Sequence, residues 1–144
     1  LSASSVQWPQ FRSELNALLK RRHGTPRLWL EVSEAGALAH FKAFRALCLD
    51  LKTIGCQTGI EHFGRQFSEI GRLHDLGLDY LKVDSSFIRG LEDNVGNQTF
   101  LKGLATITKG IGMTVIAEGV ASEEELAALG AAGFDAATGP AIRE

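Results

Sequence analysis

At 144 residues, 44% hydrophobic and 22% charged, the chain has the composition of one small globular domain. A formal net charge of −2 and a pI near 6.1 argue against bulk binding of nucleic acid or of an anionic membrane surface. No apolar run approaches the roughly 20 residues that span a bilayer. Cys48 and Cys56 lack CxxC or Cys/His spacing and read as buried free thiols, which suits a reducing cytoplasm. The abrupt opening at Leu1-Ser2 and ending at Arg143-Glu144 lead us to expect a piece of something longer.

In chain order, Ser5 is a candidate cap for a first helix, with Pro9 in its opening turn and Phe11, Leu15, Leu18 and Leu19 at helical spacing. Arg21, Arg22, His23 and Gly24 close it. Residues 27–32 read as a strand. Ser33 and Glu34 then open one long helix with Leu38, Phe41, Phe44, Leu47 and Leu51 on a single face, stopped by Gly55. A strand ending at Glu61-His62 follows, then a helix over 68–76 between Gly64 and Gly77, then a strand ending at Lys82-Val83-Asp84.

Phe87, Ile88 and Leu91 pack a short turn, and Asn94 caps a helix carrying Phe100, Leu101, Leu104 and Ile107. Residues 113–117 are a strand rich in β-branched side chains that delivers Glu118 before Gly119. Ser122-Glu123-Glu124-Glu125 opens a helix with a capping box and with acids at its positive end. Residues 133–139 form a last short strand with a loop.

Strands and helices alternate with short connections, the pattern of βαβ units in a parallel sheet. Five strands are too few for a closed eight-stranded barrel, which takes about 250 residues. The α/β reading therefore leaves two architectures, an open doubly wound sheet or the later half of a barrel. In both, ligands sit at the carboxyl ends of the strands. Glu31, Glu61, His62, Lys82, Asp84 and Glu118 all fall at such ends. One acid there is commonplace as half of a buried ion pair. Four strands in succession, each delivering one, point to a shared ligand or metal, because several buried charges are costly without a partner.

Five stretches carry a more specific likeness. Leu30-Glu31-Val32-Ser33-Glu34, the Glu61-His62-Phe63-Gly64 loop, Leu81-Lys82-Val83-Asp84, Val115-Ile116-Ala117-Glu118-Gly119-Val120 and Gly133-Phe134-Asp135-Ala136-Ala137-Thr138-Gly139 come in the order and spacing of the EAL-domain family. The chain thus resembles the bacterial cyclic di-GMP phosphodiesterases, which are modified TIM (β/α)8 barrels. The resemblance implies that residues 1–144 are a partial EAL domain, its C-terminal portion, with the N-terminal strands and the Glu-Ala-Leu motif absent from the chain.

Carried over by motif, the resemblance puts Glu31 at a metal-ligand position and Glu34 where an acid braces the loop after Phe63-Gly64. Lys82 matches the lysine that positions the attacking water, and Glu118 matches an active-site acid. The family's loop begins Asp-Asp-Phe-Gly, and its two aspartates hold paired divalent cations; here those positions are Glu61 and His62. Thr138-Gly139-Pro140 stands where active enzymes have Gln-Gly-Tyr. Mg²⁺ requires near-octahedral oxygen ligation at about 2.0–2.1 Å, which a carboxylate one methylene longer does not preserve. An imidazole nitrogen suits zinc or copper better than magnesium.

The resemblance therefore implies a catalytically inactive, LapD-like receptor branch, with Glu31, Glu61, His62 and Lys82 as vestigial catalytic positions and no metal site. Cyclic di-GMP would be held by Phe67, Phe63, Gly64, Lys82, Asp84 and Glu118, with no cofactor required. Phe67 stands where the family has an aromatic beside a guanine, and stacking is worth roughly 1–3 kcal/mol per base. Implied partners are a second EAL domain and other domains of the same parent chain, anchored in the bacterial inner membrane with this domain in the cytoplasm. An active or weakly active phosphodiesterase using Mg²⁺ or Mn²⁺, and a scaffold that has lost ligand as well as metals, are the alternatives.

Overall fold

A computed structural model describes residues 29–142, apart from the side chain of Phe67. The helix expected over the first 24 residues lies outside the described residues, as do Arg27 and Leu28. The rest falls into two compact units, the first running through Glu61 and taking in Arg65–Asp79, the second comprising His62–Gly64 and the chain from Tyr80.

In the first unit, strand β1 (Trp29–Ser33) buries Leu30 and Val32 while Glu31 between them stays half-buried, the alternation that a pleated strand imposes. It pairs in parallel with β2 (Gln57–Phe63), from Trp29 opposite Gln57 to Ser33 opposite Glu61. Parallel pairing requires a crossover, supplied by helices α1 (Glu34–Ala39) and α2 (Phe41–Lys52). Ser33 caps α1, its Oγ accepting from the Gly36 amide at 3.2 Å.

The single long helix expected here is two helices, bent at His40 (φ −123°, ψ 43°). The first turn is fixed in place from outside, since Oε1 of the buried Glu34 accepts from the Gln66 amide at 2.8 Å. The chain bends after it, and α2 then buries Phe44, Leu47, Cys48 and Leu51 as the apolar spacing expects. Each such burial contributes about 1.5–3 kcal/mol. Glu34 does what the family likeness implies for it, bracing the loop that follows Gly64. The helix expected over 68–76 is shorter, a 3-10 turn at Phe67–Glu69 and α3 (Ile70–His74), closed by tight turns ending at Gly77 (φ 67°). Arg72 covers the Phe41 ring at 4.7 Å.

Asp79 ties the chain after α3 to β2. Its Oδ2 accepts from the Thr58 amide at 2.8 Å, and its own amide donates to the Thr58 carbonyl at 2.9 Å. Cys48 and Cys56 are both buried free thiols, as expected. Burial pushes the Cys48 thiol up to about 12, opposed in part by a hydrogen bond with Thr58 and reinforced by Asp79. Burial and Asp79 also raise Cys56.

In the second unit β3 (Tyr80–Val83), β4 (Thr114–Ala117) and β5 (Ala136–Ala137) are all parallel, with α4 (Val95–Gly110) and α5 (Glu123–Ala132) as crossovers. Asn94 caps α4 through Oδ1 and the Asn97 amide at 2.9 Å. The capping box of α5 forms nearly as expected. Ser122 Oγ accepts from the Glu125 amide at 3.1 Å, and Glu125 reaches back to the Ala121 amide at 3.3 Å, one residue beyond the usual partner. The last strand is only two residues long. Gly133 (φ 95°) and Phe134 are committed to capping α5, their amides donating to Gly130 and Leu129, and Gly139 (φ 134°) turns the chain away.

Among the described residues no helix is long and apolar enough to cross a membrane. The burial of both thiols gives a direct test. In the folded protein at pH 8, Cys48 should resist alkylation and Cys56 should react far more slowly than a free thiol, with both labelled at once in denaturant.

Candidate functional site

Three strand ends meet in the second unit, and backbone hydrogen bonds hold them in step. The Asp84 amide donates to the Phe63 carbonyl at 3.0 Å, and the Glu118 amide donates to the Val83 carbonyl at 3.1 Å. Asp84 and Glu118 are the first residues past β3 and β4, and His62 is the penultimate residue of β2. His62 Nδ1 lies 3.0 Å from Asp84 Oδ1 and 3.4 Å from Glu118 Oε2. His62 is the exposed member of the three, and both acids are partly buried.

His62 adopts φ 55°, the left-handed region that few non-glycine residues occupy, histidine being among the more frequent of them. The next residues explain why the loop is held there. Gly64 (φ 143°) packs so closely on the ring of Phe87 that an added Cβ would fall 2.8 Å from its Cζ and 2.9 Å from its Cδ2. Phe87 in turn stacks on Phe100 of α4, ring centroids 5.2 Å apart. The loop is therefore seated on a packed aromatic pair.

Asp84 is fixed from its other side. Its Oδ2 accepts from the Ser86 hydroxyl and, at 3.2 Å, from the Ser86 amide, which leaves Oδ1 turned to His62. Ser86 is the largest cause of an Asp84 carboxyl held below the usual carboxylate range; burial opposes this and His62 adds to it. The reading of the sequence missed Ser86. Its signal was the Asp84-Ser85-Ser86 string, an aspartate two residues before a hydroxyl, which is an Asx-turn pattern.

The expected site residues divide between the units. His62, Phe63, Gly64, Lys82, Asp84 and Glu118 belong to the second, where His62, Asp84 and Glu118 are brought together. Lys82 lies half-buried on β3 opposite Ile116, and Phe63 is fully buried. Glu31 and Glu61 belong to the first, half-buried on β1 and β2 opposite Gly59 and Ser33. The Phe67 side chain lies outside the described residues.

The sequence matches the EAL domain over residues 1–144, and the chain belongs to the EAL-domain family. It is 32% identical over 136 residues to the cyclic di-GMP phosphodiesterase PdeF of Escherichia coli, an alignment covering 94% of this chain and 18% of PdeF. Its fold matches the FimX EAL domain of Pseudomonas aeruginosa bound to c-di-GMP, with a TM-score of 0.90 and 32% identity over 100% of this chain and 60% of that one. It also matches the manganese and c-di-GMP complex of Klebsiella pneumoniae BlrP1, with a TM-score of 0.82 and 26% identity over 95% of this chain and 35% of that one. The fold is thus the later portion of a TIM-barrel-type EAL domain, and the doubly wound alternative falls away. The chain spans less than a fifth of PdeF.

BlrP1 is also known with calcium. Manganese and calcium are served by oxygen-rich ligation.

The Ser86 contact yields a pH prediction. A depressed carboxyl contributes stability that is present above its unfolded value, about 3.9, and is lost as pH falls through the folded value. Ser86→Ala should move the Asp84 carboxyl titration, followed by carbon NMR, upward. The variant should also lose acid stability at a higher pH than the parent.

Proposed function

We propose that this EAL domain binds cyclic di-GMP as a receptor without hydrolysing it and relays occupancy to a partner, in the manner of the LapD-like branch. The observation that carries the reading is the pair Glu61-His62 where the family has two aspartates, with His62 Nδ1 engaged by Asp84 and Glu118. Two-metal hydrolysis needs both ions about 3.5–4 Å apart to activate water and stabilise the leaving oxygen. A nitrogen donor at one bridging position and a displaced carboxylate at the other leave that pair without its ligands. Likeness to a FimX EAL domain bound to c-di-GMP supports nucleotide binding.

In this reading Lys82 pairs with a phosphate and Glu118 accepts from a guanine edge. Phe67 offers a stacking face, and Phe63, Gly64 and Asp84 shape the loop that receives the ligand. The remaining strands of the barrel, from the parent chain or a swapped neighbour, complete the site, and a second EAL domain is the proposed dimer partner. The parent would be anchored in a bacterial inner membrane with this domain in the cytoplasm.

The name of PdeF favours a second reading, a phosphodiesterase of low activity that runs on manganese. Conversion of cyclic di-GMP to its linear form by the full-length protein, with Mg²⁺ or Mn²⁺, separates the two. The receptor reading expects no product from the parent protein and at least a trace from the Glu61→Asp/His62→Asp double variant. Steady turnover by the parent would sink it. Phe67→Ala should weaken nucleotide binding roughly 5- to 150-fold, the equivalent of about 1–3 kcal/mol of stacking.

A further inference from the structure

Helices α4 and α5 bury Leu101, Leu104 and Leu129 in the core of the second unit, and beside those buried faces they leave a groove of about 420 Å³. Its walls keep helical spacing. On α4, Val95, Gln98, Thr99 and Lys102 stand at i, i+3, i+4 and i+7, a single face of the helix. The last three line the groove, and Val95 continues their face at the first turn. At 74% exposure, Val95 is the most exposed large apolar side chain among the described residues. On α5, Glu124, Ala128 and Ala131 line the facing wall at i, i+4 and i+7. Methyl groups are all that α5 puts there beyond its first turn, so another backbone can approach closely.

One end of the groove is fixed. Gln98 Nε2 donates to the carbonyls of Leu91 at 2.7 Å and Glu92 at 3.1 Å, which ties the 3-10 turn Leu91–Asp93 to α4 and sets Glu92 at the groove's mouth. A preformed groove lowers the ordering cost of binding. Both helices cross between parallel strands and so run the same way, which puts Glu92 and Glu124 together where the helices begin. Lys102 stands about two turns further along, roughly 10 Å from Val95 at the helical rise. All three charges are exposed, and none makes an ion pair among the described residues.

We propose that this groove docks a short amphipathic helix of a protein partner, with small or branched aliphatic residues on Val95 and the alanines and with Lys or Arg at the end that meets Glu92 and Glu124. Two packed helices accept a third by the ridge-and-groove fit that packs the pair. An extended peptide fits poorly, because the walls are helices whose backbone groups are already bonded and have none to offer it. Lys102 repels a cationic end, so the charges fix which way the helix lies; rim charges set partner choice more than affinity.

The groove shares no residue with the strand-end site, so its test needs no nucleotide. Full-length protein is titrated into three fluorescein-labelled peptides followed by anisotropy. One is an alanine- and leucine-faced helix with lysines at one end, one carries glutamates in their place, and one is a scramble of the lysine peptide. The lysine helix should bind, and the other two should bind at least tenfold more weakly. Ala128→Arg, which fills the groove, should weaken the lysine helix at least tenfold. Glu124→Lys should weaken it and Lys102→Glu strengthen it, each by roughly two- to fivefold, as exposed ion pairs do. Asp75→Lys, the same charge change on an exposed residue of the first unit, should alter nothing. The exposed charge variants keep the test decisive if Ala128→Arg misfolds. No binding of the lysine helix, equal binding of its scramble, or a loss from Asp75→Lys as large as that from Glu124→Lys would overturn the proposal.

Discussion

Parallel pairing of strands that end at one level is the constraint on which the rest depends. Backbone hydrogen bonds from Asp84 to Phe63 and from Glu118 to Val83 bring successive strands to their ends together. The residue types at these ends can vary without disturbing the pairing, because the ladder is held by backbone groups and not by those side chains. A βαβ scaffold can therefore vary the residues at its strand ends and keep its fold. The TM-score of 0.90 to a FimX EAL domain, at 32% identity, is what such a separation of scaffold and site produces.

The site shows how a histidine is accommodated between two acids. Its ring can both donate and accept, where a carboxylate only accepts. Here it turns back on two carboxylates carried by the neighbouring strand ends. Seating Gly64 on Phe87 and holding His62 at φ 55° determine where the ring can go. Two acids that would otherwise repel one another are thereby bridged by one imidazole.

Much of this was legible in the sequence because the signals are local. Apolar runs ending in ionisable residues located β1 to β4, and Asn94 and Ser122 cap the helices where side-chain chemistry placed them. Motif order gave the family and the bracing role of Glu34. What escaped depends on contacts distant in sequence. The bend at His40 follows an α1 whose first turn is tied to Gln66, 32 residues on from Glu34. The last strand shrank to Ala136–Ala137 because Gly133 and Phe134 were needed to cap α5. The placing of His62, Asp84 and Glu118 at strand ends was legible, but the direct contact of His62 Nδ1 with both acids was not, since strand register and loop seating decide it together.

The central claim is that nucleotide recognition in this EAL domain is separate from metal-dependent hydrolysis. Calorimetric titration of cyclic di-GMP into the full-length protein, first with Mg²⁺ and then with EDTA, tests it most directly when the cell contents are afterwards assayed for the linear product. The account predicts binding that survives chelation and a ligand recovered intact. Binding that requires the metal and ends in linear product would contradict it.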